Sequence, residues 1–184
     1  INGGLLISNT QFLDNGINKL NGTGGGVYIG GTTVVTVVNS LFARNQCLGG
    51  ACTGGGLYAA YGVALTNTQF VSNTAARGGG LYIHQGAVRL VNPVLTSNST
   101  VSNTSGSLHI NTVSGSGVLV HGTVASPTLG AGTAIYIGNG TVDIRNTIVA
   151  SYTVGLWRQG GTVSQAYDLF YGNATAISGT VTDG

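Results

Sequence analysis

The stretch Gly24-Gly-Gly-Val-Tyr-Ile29 decides the fold, because variants of it return along the chain at a nearly regular spacing. The further copies are Gly54-Gly-Gly-Leu-Tyr-Ala59, Gly78-Gly-Gly-Leu-Tyr-Ile83, Ser105-Gly-Ser-Leu-His-Ile110 and Gly132-Thr-Ala-Ile-Tyr-Ile137. Successive copies begin 24 to 30 residues apart. Self-similarity at such a period is typical of repeat architectures.

Two further blocks accompany this one in most repeats. The second alternates apolar and other residues and ends in Asn-Thr or a variant of it, as in Val35 to Ser40. The third reads Phe-x-x-Asn, as in Phe42 to Asn45. Three strand-like blocks in about 27 residues, with no helical segment between them, predict one turn of a three-sided parallel β-helix, or solenoid. The chain then contains about six rungs.

Stacking of the rungs places equivalent side chains above one another. We expect an interior column of Phe12, Phe42, Phe70 and Leu95, and a column at a bend of Asn9, Asn39, Asn67, Asn92 and Asn146, with Gly122 in one turn. In the second block, the inward pairs are predicted to be Val35 with Val37, Val63 with Leu65, Val88 with Leu90, Val118 with Val120, and Val142 with Ile144. The glycine triplets indicate a corner with positive φ.

Composition supports an all-β chain that folds. The 184 residues include 33 glycines, no Glu, no Met and one Lys, so several of the best helix formers are missing. The apolar fraction of 42% and net charge of +2 argue against a disordered linker. A β-sandwich or Greek-key barrel is the alternative, but it does not explain the repeated glycine and asparagine positions.

Charge excludes some partners. The six basic residues are scattered singly, whereas nucleic-acid-binding proteins cluster them on one face. The longest apolar stretches, such as Val118 to Val120, are far too short to span a membrane. We therefore expect neither nucleic acid binding nor direct membrane insertion.

Two cysteines lie five residues apart in a glycine-containing loop. Cys47 and Cys52 are candidates for a small disulfide, which favours an oxidising compartment. Two reduced thiols are the alternative. Zinc is not expected, because no second Cys or His pair has ligand spacing.

The acidic residues do not form a recognisable catalytic set. Glycoside hydrolysis ordinarily needs two positioned carboxyl groups, and the chain has only Asp14, Asp143, Asp168 and Asp183. The register makes Asp143, Arg145 and His121 neighbours, either as an acid/base site or, as we favour, as a surface ion pair beside a solvated histidine. We predict no catalytic residue, metal or cofactor, and expect His84 and His109 at the surface.

Aromatic residues are the better candidates for ligand contact. Tyr28, Tyr58, Tyr82 and Tyr136, with His109 in the fourth place, alternate with inward residues and should form an outward ladder. Such a stripe can contact sugar rings or another protein surface, although stacked aromatics also simply stabilise a sheet. Trp157 is expected to be isolated in a loop with Arg158.

The glycine and Phe-x-x-Asn blocks resemble the repeats of polymorphic outer-membrane proteins and related bacterial surface proteins of the pectin-lyase-like superfamily. The segments 140–150 and 167–173 look like the closing rungs of large secreted bacterial proteins. This resemblance implies a right-handed β-helix, an extracellular or cell-surface location and an adhesive or structural role. Residues 105–131 depart from the pattern, with Ala125 and Thr128 in place of a Phe-x-x-Asn block.

These observations predict a single β-helix domain over residues 1–184, either a segment of a larger chain or a stacking subunit. The expected function is that of a non-catalytic, adhesin-like rod whose partners are other subunits or the rest of a larger surface protein. Glycans are further possible partners, through the tyrosine ladder. The alternative is a polysaccharide lyase or hydrolase whose catalytic carboxylates lie outside this chain.

Overall fold

The computed structural model describes residues 4–32, 34–101, 105–128 and 132–184, and all the regular elements in these ranges are β-strands. In chain order they are β1 (Leu6–Ser8), β2 (Gln11–Leu13), β3 (Gly16–Asn18), β4 (Val27–Ile29), β5 (Val35–Val38), β6 (Leu41–Ala43), β7 (Gln46–Leu48), β8 (Leu57–Ala59), β9 (Val63–Thr66), β10 (Gln69–Val71), β11 (Thr74–Ala75), β12 (Leu81–Ile83), β13 (Val88–Val91), β14 (Val94–Thr96), β15 (Ser99–Thr100), β16 (Gly106–Val120), β17 (Thr123–Ala125), β18 (Thr133–Arg145), β19 (Ile148–Ala150), β20 (Val154–Arg158), β21 (Thr162–Ala166), β22 (Leu169–Tyr171), β23 (Thr175–Ser178) and β24 (Thr182–Asp183). Within these ranges, no helix has the length and apolar character needed to cross a membrane.

The strands stack in parallel into three sheets. The first sheet has 13 strands, the second consists of the seven strands β2-β6-β10-β14-β17-β19-β22, and the third of β3-β7-β11-β15. The prediction of an all-β parallel solenoid is therefore confirmed. Its right-handed sense and three-sided cross-section stay predictions from the repeat and the resemblance.

The interior column of the second sheet is confirmed. The ring centroids of Phe12 and Phe42 lie 4.8 Å apart, as do those of Phe42 and Phe70. Leu95 continues the column through its pairing with Phe70, and Val124 follows. Offset-stacked rings and aliphatic side chains thus fill the core without polar atoms.

The bend after the second block requires a left-handed backbone. Asn9, Asn39, Asn67, Asn92 and Asn146 have φ between 49° and 52° there. Asparagine tolerates this region better than most residues. In the remaining turns of this column, His121 (φ 56°) and Tyr167 (φ 58°) occupy the position, so the prediction of Gly122 is wrong by one residue.

The same one-residue error changes which side chains enter the core in this turn. Leu119 is buried and pairs with Leu90 and Ile144, whereas Val118 and Val120 are only half-buried. The prediction that Val118 and Val120 point inward is therefore wrong. Three apolar residues in a row leave the alternation ambiguous, because a shift by one exchanges the two faces.

A second asparagine ladder, from the Phe-x-x-Asn blocks, is buried. Asn45 Nδ2 donates to Asn73 Oδ1 (3.0 Å), and Asn73 Nδ2 donates to Asn98 Oδ1 (2.9 Å) and to the carbonyl oxygen of Phe42 (2.8 Å). Each amide also accepts from the backbone N–H of the preceding ladder asparagine, as Asn73 does from Asn45 (2.9 Å). These bonds satisfy buried polar groups at the corner, which would otherwise carry a large desolvation cost.

Glycine at the triplets is required for two reasons. Gly24, Gly54 and Gly78 have φ of 69°, 70° and 59°, which confirms the predicted corner. At the next position, a Cβ on Gly25 would lie 2.5 Å from the carbonyl oxygen of Gly55 in the adjacent turn. Adjacent turns of the solenoid can approach this closely only where the residue at this position has no side chain.

The corner between the first and second sheets has a constant length, whereas the return from the second sheet to the first, which carries the strands of the third sheet in some turns, does not. Five residues separate aligned core positions of the first and second sheets, as between Val37 and Phe42 or between Leu90 and Leu95. The segment from the second sheet to the next strand of the first is longer and variable. It spans 16 residues from Phe42 to Tyr58 but only 8 from Val149 to Trp157.

Candidate functional site

The predicted aromatic ladder is present on the outer face of the first sheet. Tyr28 and Tyr58 have ring centroids 5.3 Å apart, and Tyr58 and Tyr82 are separated by 5.4 Å. His109 lies between the next two rings, 4.5 Å from Tyr82 and 4.3 Å from Tyr136. All these planes are within 20° of parallel, because the parallel register places each ring directly over the next.

The ladder is exposed at one end and covered at the other. Tyr28 is 56% exposed, whereas Tyr82 and His109 are each 5% exposed and Tyr136 is 9% exposed. The expectation that His109 lies at the surface is therefore wrong. His84 is exposed, as predicted.

His109 is held neutral. Its Nδ1 lies 3.0 Å from the Ser105 hydroxyl oxygen in a buried hydrogen bond. Burial, together with the charge of Arg77, lowers the pKa of His109 to about 3. The imidazole is consequently uncharged over the physiological range and contributes a ring and a hydrogen-bonding group rather than a cation.

The stacking limits what the ladder can bind. A sugar that packs on an aromatic side chain needs the ring face, and the faces of Tyr58, Tyr82 and His109 are occupied by neighbouring rings of the ladder. The stack leaves uncovered only the ring edges and the hydroxyl groups of Tyr58 and Tyr82. Face contact with a ligand is thus confined to the ends of the ladder.

Trp157 ends the covered side of the ladder. It lies on β20, pairs with Tyr136 and meets it edge to face, with centroids 5.9 Å apart and planes at 66°. In the next strand its partner is Ser178, so no further ring continues the stack. The prediction of Trp157 in an isolated loop is therefore wrong. The stretch Val154 to Arg158 was missed because it lacks the glycine triplet.

A cleft of about 380 Å³ opens beside these rings. Its lining consists of Arg77, Tyr82, His109, Asn111, Tyr136, Trp157 and Gln159. The Tyr136 hydroxyl donates to Gln159 Oε1, and Tyr82 is within hydrogen-bonding reach of Arg77 and Asn111. Gly138 makes room for this arrangement, because a Cβ there would lie 2.7 Å from Asn111 Oδ1.

The phenols of the cleft keep their protons. Burial raises the pKa of Tyr82 and of Tyr136, and the charge of Arg77 only partly opposes this rise. Both hydroxyl groups can therefore donate and accept hydrogen bonds at neutral pH. With His109 neutral as well, Arg77 is the one formally charged residue among the seven that line the cleft.

The backbone around Arg77 is fixed by the disulfide corner. Cys47 and Cys52 form a disulfide with a Cα–Cα distance of 5.5 Å, and both residues are buried. The Cys52 carbonyl oxygen accepts hydrogen bonds from the N–H groups of Ala76 (2.9 Å) and Arg77 (3.1 Å). The Arg77 carbonyl oxygen accepts in turn from the N–H of Gly54 (2.9 Å).

The four carboxylates of the chain lie away from the cleft. Asp14 pairs with Arg44 at 2.7 Å, and the predicted pair of Asp143 and Arg145 is present at 2.8 Å. Asp183 accepts from Gln165. His121 occupies its exposed corner, where its backbone N–H donates to the Arg145 carbonyl oxygen.

Asp168 is half-buried. Its Oδ1 accepts from the Thr147 N–H at 2.7 Å, while its buried Oδ2 has no hydrogen-bond partner in the structure. Burial raises the pKa of Asp168. In the part of the chain that the structure describes, no three His, Cys, Asp or Glu side chains come together as a metal site.

The ladder was predictable from the sequence, but the cleft was not. Asn111 and Gln159 are ordinary polar residues in the sequence, and Arg77 looked like one of several scattered cations. The proximity of Arg77 to the ladder follows from the Gly78 triplet that succeeds it, which is the signal that was available.

Comparison with known proteins yields no match, whether with protein-family models, with curated proteins or with solved structures.

Proposed function

We propose that this protein is a non-catalytic, adhesin-like β-solenoid of the cell surface or extracellular space that binds a glycan in the cleft beside Trp157. The observation that carries the proposal is the ladder end, where the Trp157 indole, tilted by 66° from the Tyr136 ring, lines one cleft with Asn111 and Gln159. An apolar ring face next to a few convergent hydrogen-bonding groups suits a sugar, which has an apolar face and a rim of hydroxyl groups.

The solenoid supports this role by presenting the cleft rigidly. Tyr82, His109 and Tyr136 project from strands that are paired on both sides in the first sheet. The core behind them includes the buried residues Leu81 and Leu108. A site whose lining is held in place before binding loses less conformational entropy on association.

The remaining features favour a surface or extracellular setting and a binding role. The Cys47–Cys52 disulfide persists most readily in an oxidising compartment. The carboxylates engage in ion pairs or hydrogen bonds elsewhere, whereas glycoside hydrolysis ordinarily needs two of them at the scissile bond. The lining supplies hydrogen-bonding groups, aromatic rings and one cation.

Glycan-array retention tests the proposal. We expect the protein to be retained on a subset of glycans and the Trp157→Ala variant to lose this retention. Tyr171→Ala is the matched control, because Tyr171 is a 70% exposed aromatic residue away from the cleft. Circular dichroism and thermal unfolding establish that each variant is folded. Absence of retention for the unmodified protein, or full retention by folded Trp157→Ala, would overturn the proposal.

A further inference from the structure

We propose that the cleft selects anionic glycans, with Arg77 as the residue that binds a carboxylate or sulfate group on the sugar. This inference rests on the proposed function and specifies its ligand class. It follows from the charge of Arg77, from the neutrality of its surroundings and from its place relative to Trp157.

Arg77 is a cation without a counter-charge. Within residues 4–32, 34–101, 105–128 and 132–184, the ion pairs are those of Arg44 with Asp14 and Arg145 with Asp143. Arg158 instead donates to the Gly161 carbonyl oxygen. The exposed Arg77 side chain lines the cleft, where its guanidinium group can offer a planar pair of donors to an oxyanion.

The neighbours of Arg77 in the cleft leave its charge uncompensated. Tyr82, Asn111 and Gln159 are neutral hydrogen-bonding residues of the same cleft, and no carboxylate belongs to the lining. An incoming anion therefore displaces no internal ion pair. A partly enclosed cleft also screens the interaction less than open solvent does.

The spacing along the solenoid indicates the size of the ligand. Arg77 and Tyr82 line the same cleft, and the register runs from Tyr82 through His109 and Tyr136 to Trp157. Three strand spacings correspond to about 14 Å, which exceeds the width of one sugar ring. The lining between Tyr82 and Trp157 thus extends beyond one sugar ring, so a ligand that fills the cleft along the ladder is an oligosaccharide.

Titration calorimetry with matched oligosaccharides provides the test. The probes are three oligosaccharides that share one sugar chain, which is chosen among those retained on the glycan array. One is neutral, the second carries a carboxylate on one unit, and the third carries a sulfate ester. We expect the carboxylated or the sulfated form to bind at least about tenfold more tightly than the neutral form, and added salt to weaken this preference. Comparison of the affinities for the carboxylated and the sulfated forms identifies which anionic group the cleft accepts.

Variants of Arg77 connect the preference to the proposed residue. Arg77→Gln should bind the anionic and neutral forms equally, while Arg77→Lys should keep part of the preference through its charge. Arg89→Gln is the matched control, because Arg89 is an exposed arginine of β13 outside the cleft. We expect this control to bind as the unmodified protein does.

The outcomes separate this inference from the proposed function. Equal binding of neutral and anionic forms, lost in Trp157→Ala, would overturn the anionic preference while leaving glycan binding intact. A preference that survives in Arg77→Gln would overturn the role of Arg77. Absence of binding by every probe, with no retention on the array, would overturn both proposals.

Discussion

The backbone N–H of Arg77 donates to the carbonyl oxygen of Cys52, at 3.1 Å, so the disulfide corner of one turn holds the cation that lines the cleft of the next. Cys52 is covalently fixed to Cys47, whose strand β7 pairs with β3 and β11. The position of Arg77 therefore depends on a covalent bond in the neighbouring turn.

Removal of the disulfide should weaken both the fold and the site. We expect Cys47→Ala/Cys52→Ala to lower the free energy of unfolding by about 2 kcal/mol, since the bond closes a short loop, and to weaken binding at the cleft. Urea denaturation and calorimetry measure the two effects. Reducing agent should shift the unmodified protein toward the variant and leave the variant unchanged. Equal stability of the two proteins under oxidising conditions would contradict this expectation.

The phenylalanine column should dominate the stability of the core. Phe70 is fully buried and stacks on Phe42, so Phe70→Ala should lower the free energy of unfolding by about 3–5 kcal/mol through lost burial and a cavity. Tyr171→Ala, at an exposed position, should change it by less than about 0.5 kcal/mol. Denaturant unfolding of both variants provides the comparison. Similar small losses would show that the column is not a major source of stability.

The two asparagine ladders should differ in their contribution to stability. Asn73 is buried and bonded to the turns on both sides, so Asn73→Ala leaves unpaired backbone and side-chain groups and should cost at least about 2 kcal/mol. Asn67 is exposed at φ 50°, and Asn67→Gly preserves this backbone conformation. Its cost should be below about 1 kcal/mol. Equal costs in chemical denaturation would argue against a special role for the buried ladder.

Acid should destabilise the protein partly through His109. The folded pKa of about 3 lies below the ordinary value of 6.5, so the unfolded chain takes up a proton first as the pH falls. The contribution of neutral His109 to the free energy of unfolding is fully present above pH 6.5 and is lost as the pH falls toward 3. Between these two pH values, the free energy of unfolding should fall by roughly 1.4 kcal/mol per pH unit because of this residue.

The variant His109→Gln isolates this contribution. Between pH 6 and pH 4, its free energy of unfolding should fall less steeply than that of the unmodified protein, because glutamine does not titrate. The other groups that titrate in acid, including Asp14 and Asp168, are common to both proteins. Parallel pH profiles from denaturant unfolding would show that His109 is not the buried neutral group described above.

The sequence was sufficient to predict the solenoid, the phenylalanine column and the tyrosine ladder, because these depend on residues that repeat at equivalent positions. It failed where a repeat was altered. Leu119 and His121 were misplaced by one residue in a run of apolar side chains, and Trp157 was assigned to a loop because its turn has no glycine triplet.

The cleft was not predictable for a different reason. Arg77, Asn111 and Gln159 belong to three turns and to no repeated block, so no spacing in the sequence connects them. Arg77 lies in the segment before β12, whereas Asn111 lies on β16 and Gln159 directly follows β20, and the stacking of the turns brings the three residues to one cleft. Only the three-dimensional path of the chain shows which polar side chains line the cleft with Trp157.

The five-residue corner between the first and second sheets is constant, whereas the segment that returns to the first sheet varies in length. The constant part belongs to the scaffold, and the variable part contains Arg77 of the cleft. Segments of 16 and 8 residues return to the same sheet without disturbing the core register, so this part of the turn tolerates insertion. A designer could graft foreign peptides at that edge, and natural divergence could retarget recognition there, while the stacked interior stayed unchanged.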